Sequence, residues 1–301
     1  WPGSLTLLVA MVAVSAVYTY LRLPFIPNHI LFELFVSLTI LAGIALGWRQ
    51  VRRLRLEGRA ARDHIYESFA STIRFEVIVL YFFVTWHKLN RDFFDPEVSC
   101  GGALWDMMAE TLPGLSSTHW IHLGCIAATI LFEGGIPVLL IFRRTRALGI
   151  LVGLFFHLVL GFVPHGGVYS FSALMMTLLL LFTPPEIVDS LDRTIRRLIG
   201  RIEIPPQLLY RALALTGVIA TFGLWAWAWQ RAGWRSVVKV GFAHWLTWSL
   251  VLLVMYLVAV RSESVTWNRF QARLLPAHRA LWLFPVLITL NGMSPYLGSK
   301  T

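Results

Sequence analysis

Residues 77–88 read VIVLYFFVTWHK, an almost unbroken apolar run from Val77 to Trp86 that ends in His87 and Lys88. So apolar a run reads as the inside of a bilayer. An ammonium costs at least ~2.5 kcal/mol at the centre of such a helix and persists there only with a partner, a watery cavity or a task. A dry surrounding can also turn an inert cation into a usable base. The competing account is simpler. Lys88 lies roughly one turn from the end of its helix, and lysines so placed reach outward to the headgroups. Spacing alone favours that account.

Composition agrees with the bilayer. The 301 residues are 57% hydrophobic and 14% charged, against ~45–50% and ~25% in soluble domains. Thirteen tryptophans and an aromatic share of 14% suit belts at both membrane faces. The formal net charge is +10, but the arginines cluster in short loops between apolar spans. Topology and anionic headgroups account for them, and no nucleic-acid partner is implied. Two cysteines, Cys100 and Cys125, make neither a disulfide framework nor a CxxC metal site. No basic stretch and cleavage site precede the first apolar run, so no signal peptide is read there. The chain starts at Trp1 without a methionine and stops at Lys300–Thr301, as a portion of something longer would.

A spanning helix needs ~20 mostly apolar residues. The predicted fold class is an all-α polytopic bundle, a single transmembrane domain over residues 1–301 with about nine spans. They are Ser4–Tyr20, His29–Trp48, Ile73–Asn90, His119–Phe142, Ala147–Val163, Val168–Thr183, Leu208–Gln230, Val240–Val260 and Arg279–Leu297. The basic loops after the second, fourth, sixth and eighth spans stay inside, and the acidic Arg91–Thr118 loop faces outside. The N-terminus is then cytoplasmic and the C-terminus external, in a bacterial inner membrane. The Arg231–Lys239 loop, with three basic residues, dissents mildly. Arg49–Ala70 and Pro185–Gly200 read as helices lying on the inner surface. Ala103–Leu112 (ALWDMMAETL) reads as an outer interfacial helix able to cover a site beneath it.

The unusual polar residues gather on the third, fourth and fifth spans. Glu133, near mid-membrane, must be protonated, paired or functional. Gly134, Gly135 and Pro137 loosen its helix. Its partner is expected to be Arg143, His157 or another inward polar group. His157, between phenylalanines, reads more readily as a hydrogen-bonded packing residue than as a ligand. His165 follows in the turn Pro164–Gly167. Arg74 and Glu76 lie near the inner interface, where a solvated role is expected. His119 and His122 share a helix face, but there is no HExxH and no third histidine at a fixed spacing, so no metal is predicted. His122 and His157 sit at different depths, which disfavours a haem pair. No GxSxG, Walker A or GxGxxG occurs.

Four stretches, in this order, resemble the horizontally transferred transmembrane domain family, whose best-known member is the vitamin K-dependent gamma-glutamyl carboxylase. They are WHKLNRDFF (Trp86–Phe94), ILFEGGIPVLLIFRRTRALG (Ile130–Gly149), LFFHLVLGFVPHGGVYSFSALMMTLLLLFTPP (Leu154–Pro185) and LNGMSPYLGSK (Leu290–Lys300). The resemblance implies a carboxylase-like membrane enzyme acting on a lipidic, vitamin K-type quinol. Lys88 matches the base that deprotonates the quinol. Oxygen then yields an epoxide-forming species that is basic enough for glutamate carboxylation. His87 stands where the animal enzyme has a second lysine and would relay a proton, with Glu133 and His157 as inward polar supports. Trp86, Phe156, Trp105 and His122 are the candidates to line the cofactor pocket. Membrane lipids and a peptide or protein substrate on the outer face would be the partners. The animal enzyme continues into an outer soluble domain that recognises its substrate, and this chain ends where such a domain would begin. The alternative is a non-catalytic membrane subunit or lipid- or quinone-binding scaffold with a membrane protein partner. A transporter would favour inverted repeats, and one Gly-Gly-Pro break does not supply them.

Overall fold

The computed structural model describes residues 5–23, 28–110, 112, 114–163, 166–183, 234–262 and 272–297, with scattered positions between 215 and 230. Among the described residues every regular element is a helix, and there is no strand. The helices are α1 (Leu5–Tyr20), α2 (Asn28–Leu54), α3 (Gly58–Lys88), the short α4 (Arg91–Phe94), α5 (Cys100–Ala109), α6 (His119–Ile141), α7 (Arg146–Leu160), α8 (Gly166–Leu180), α9 (Trp234–Ser262) and α10 (Leu283–Leu297). A 3₁₀ turn at Arg279–Trp282 leads into the last. Three of them, α2, α3 and α6, are long and apolar enough to cross a membrane. The others are shorter or less uniformly apolar. The predicted span Leu208–Gln230 is described only at scattered positions, and the surface helix Pro185–Gly200 and His165 lie outside the described residues.

Arg49–Ala70 does not form one surface helix. α2 continues through its arginines to Leu54, the chain reverses at Arg55 (φ 53°), and α3 begins at Gly58. Close approach of α2 and α3 explains the long antiparallel pair. Gly43 and Gly47 are four residues apart, the small-residue spacing that lets helices meet backbone to backbone. A Cβ on Gly43 would stand 2.6 Å from the Cβ of Phe69, and one on Gly47 would stand 2.6 Å from Ser68 Oγ.

Arg74 and Glu76 are both buried, Glu76 against α2 and Arg74 against the end of α8, not solvated as position alone suggests. Glu76 Oε1 accepts from Thr39 at 2.6 Å. Arg74 donates to Glu67 at 2.9 and 3.0 Å and to the carbonyls of Leu181 (2.7 Å) and Arg273 (3.0 Å). Arg146, also buried, donates to the carbonyls of Leu140 (2.8 Å), Ile141 (3.3 Å) and Ala272 (3.0 Å). Both guanidiniums thus satisfy carbonyls at helix C-termini, which have no intrahelical donor. Position near an interface does not show how many orphan carbonyls converge there. The same bonds fasten residues 272–273 to the bundle, and Ala277 and His278, which lead into α10, bond to Ser71 and Ser68 of α3.

The core runs from Phe32 and Val36 of α2 through Ile73 and Val77 of α3 to Leu154 of α7 and Met175 and Leu179 of α8. α9 docks on its flank, with Trp245 against Gly161 and the Tyr256 hydroxyl donating to the Ala147 carbonyl at 2.9 Å. Above the end of α3, α5 packs across the start of α6.

Candidate functional site

The upper part of α3 builds one wall of a cavity of about 620 Å³. Leu80, Phe83, Val84, His87 and Lys88 face it, the i, i+3, i+4, i+7, i+8 set that forms one helix face. Phe32 and Phe35 of α2, Phe156 of α7 and Phe171 of α8 supply aromatic walls, and Leu104 of α5 covers one end. Ile288, Asn291 and Gly292 of α10 close the side.

Lys88 turns into this space. Its Nζ stands 2.6 Å from Glu133 Oε2, and the two side chains are 19% and 9% exposed. The ammonium also lies 5.9 Å from the centre of the buried Phe93 ring. The headgroup-reaching lysine allowed by spacing is therefore not the arrangement seen. Nor are Arg143 and His157 the partners of Glu133. α6 runs past the top of α3, so its fifteenth residue comes level with Lys88, a register that no local signal announces. Pro137 lacks an N–H, so the Glu133 carbonyl loses its usual helical donor. The helix is loosened at its one buried carboxylate.

His157 is fully buried behind the cavity, with Nε2 2.7 Å from the Tyr81 hydroxyl. Its Nδ1 has no partner among the described residues. His87 lines the cavity, and its Nε2 donates to the Gly292 carbonyl at 2.7 Å. Phe156 lines it too, stacked on Phe132. Trp86 does not. It stands about 200° around the helix from both Val84 and Lys88, is 51% exposed and stacks on Phe82.

Trp105 and His122 belong to the cover. The Trp105 indole donates to the Ser116 carbonyl at 3.0 Å. His122 Nε2 stands 2.9 Å from Asp106 Oδ1, and Nδ1 stands 3.2 Å from the Pro96 carbonyl. The Ser117 hydroxyl and then His122 hold the Asp106 carboxyl below the usual carboxylate range. His119 lies 3.6 Å from Glu97. These contacts pin α5 to the start of α6 over the cavity.

Tyr81, Phe93 and Gly292 also belong to the site, without standing out by residue type. Spacing alone points to Tyr81, two turns before Lys88 on the same face. Phe93 and Gly292 reach the site through a tight turn and a distant helix, and carry no pattern of their own.

The HTTM domain model matches residues 8–186, more than half of the chain, and the chain belongs to that family. The family is associated with vitamin K-dependent carboxylase-like membrane proteins. No curated protein and no solved structure matches the chain.

Proposed function

We propose that this member of the HTTM family is a carboxylase-like membrane enzyme that binds a lipidic quinol in the cavity beside Lys88 and Glu133. The observation that carries the proposal is the 2.6 Å contact between these two residues at the edge of a largely apolar, aromatic-walled space. A flat ring with a hydroxyl suits such walls, and a prenyl or alkyl tail suits the surrounding lipid.

The pair supplies the proton chemistry. Lys88 passes a proton to Glu133 across their hydrogen bond and is left as a neutral amine. The amine then takes the ligand's hydroxyl proton and becomes an ammonium again, beside the new oxyanion. The proton never has to leave through lipid, and the charge formed faces a fixed cation. A bound quinol would supply, with oxygen, the strong base that epoxidation and glutamate carboxylation need. Tyr81 and His157 support the pair from behind, and His87 orients the upper wall.

We place the cavity in the outer half of a nine-span domain with a cytoplasmic N-terminus, in a bacterial inner membrane. The basic loops support this orientation. The residues leading into α10 bond to Ser68 and Ser71 in the first half of α3, and Gly292 of α10 meets His87 beside Lys88, which supports an external C-terminus. A peptide or protein substrate would approach from that side.

The ion pair also favours a second reading, in which Lys88 and Glu133 only join α3 to α6 in a scaffold that binds lipid, quinone or a membrane partner. One assay separates the two. Purified protein in lipid nanodiscs receives reduced naphthoquinone and oxygen, and epoxide is measured. The enzyme reading expects epoxide from wild type and none from Lys88→Ala. Equal output from both removes Lys88 as base, and no output from wild type with a partner co-purifying favours the scaffold.

A further inference from the structure

Gly292 lies on α10, beyond the residues 8–186 matched by the family model, yet it meets the site twice. Its carbonyl accepts from His87 at 2.7 Å. Its α-carbon faces the Phe83 ring so closely that an added Cβ would stand 2.6 Å from Cγ and 2.8 Å from both Cδ atoms. Real Cβ atoms do not approach a ring so nearly, so one of the two must move.

Two ties oppose movement of α10. One is the His87 hydrogen bond. The other is the edge-on packing of Trp282, just before α10, on Phe75 of α3, with ring centroids 5.2 Å apart. The Phe83 ring packs on Phe82 and His87, with centroids 5.2 and 5.9 Å away, but its remaining side is cavity and offers it room. A methyl at position 292 would therefore displace the ring into the space where a ligand sits.

We infer that Gly292 is a specificity-determining residue, whose missing side chain lets Phe83 lie back against α10 and keeps the cavity wide enough for a fused two-ring head group. The inference rests on the cavity being the quinol site and adds the size of ring it selects. It also makes α10 part of the site, with Asn291 and Ile288 beside Gly292 on the same wall. In the family-matched stretch alone, His87 would lose its carbonyl partner and Phe83 its backing.

The test uses the full chain in nanodiscs as wild type, Gly292→Ala, Phe83→Leu and the double variant. Binding of a naphthoquinone is compared with that of a single-ring benzoquinone, and thermal unfolding is followed for all four proteins. Overpacking of this kind should weaken naphthoquinone binding at least about tenfold in Gly292→Ala, and benzoquinone binding much less. The double variant should return to within about threefold of wild type, because a smaller, flexible side chain makes room for the methyl. Equal naphthoquinone affinity in wild type and Gly292→Ala overturns the inference, as does a double variant no better than Gly292→Ala. If wild type binds neither quinone, the quinol reading fails and the unfolding cycle decides the steric claim. The two substitutions must then offset each other, and strictly additive effects overturn it.

Discussion

Lys88 Nζ and Glu133 Oε2, 45 positions apart in the chain, stand 2.6 Å from each other. The contact joins the last residue of α3 to the middle of α6. Each charge is held away from water by the other helix's packing, so each depends on its partner.

Removing one member should therefore cost more than removing both. Lys88→Met leaves Glu133 without its cation and should destabilise the protein by about 3 kcal/mol. Lys88→Met combined with Glu133→Leu should lie within about 1 kcal/mol of wild type. Reversible unfolding in detergent for the two singles and the double decides this. Additive losses would show that the pair is not coupled.

Gly43 and Gly124 make a matched pair of tests. A Cβ at Gly43 meets Phe69 at 2.6 Å, whereas one at Gly124 meets nothing within 4 Å. Gly43→Ala should cost about 1–3 kcal/mol through overpacking between α2 and α3. Gly124→Ala should stabilise α6 by up to about 1 kcal/mol, because alanine is the better helix former. The unfolding midpoints should move in opposite directions.

The α5 cover should loosen in acid. Asp106 is held below the ordinary carboxylate range by Ser117 and His122. Its folded-state pKa is thus below the unfolded value of about 3.9. The stability it contributes is present in full above that value and is lost as pH falls through the lower, folded one. Midpoints measured from pH 7 to pH 3 should fall at the acid end, and Asp106→Asn should flatten that limb. Unchanged acid sensitivity in the variant would assign the loss elsewhere.

The inner end should respond in a different window. His278 bonds to Ser68 at 3.1 Å and lies 3.3 Å from Gln50 Nε2. Burial, and then His64 and Arg273, hold its pKa below the usual histidine value. A lowered folded value means that the neutral ring is the one the fold accepts. Stability is complete above about pH 6.5 and declines as pH drops below it. His278→Gln should remove this decline between pH 7 and pH 5, read as unfolding midpoint against pH.

Much of this arrangement was legible in the chain. Leu80, Phe83, Val84, His87 and Lys88 form a helix face by spacing alone, and Glu133 beside Gly-Gly and Pro marks a loosened mid-helix carboxylate. The hydropathy of α2, α3 and α6 identified them as spans. Register between helices was not legible. Nothing local places Glu133 level with Lys88, or brings Gly292 against Phe83. The inner surface helix was misread because six arginines recur through Arg49–Arg62 on both sides of Arg55, and their even spread hides the turn that divides α2 from α3. Trp86 drew attention as a neighbour of Lys88, but helical geometry sends adjacent residues to different faces.

The most direct measurement is photolabelling of the protein in nanodiscs with an azido-naphthoquinone, followed by mapping of the labelled peptides. The account predicts label on the cavity face, on Leu80, Phe83, Val84, His87 and Lys88 of α3 and on Ile288, Asn291 and Gly292 of α10, and competition by unlabelled naphthoquinone. Label confined to exposed positions away from the cavity, such as Trp86 and Trp120, without competition, would contradict it.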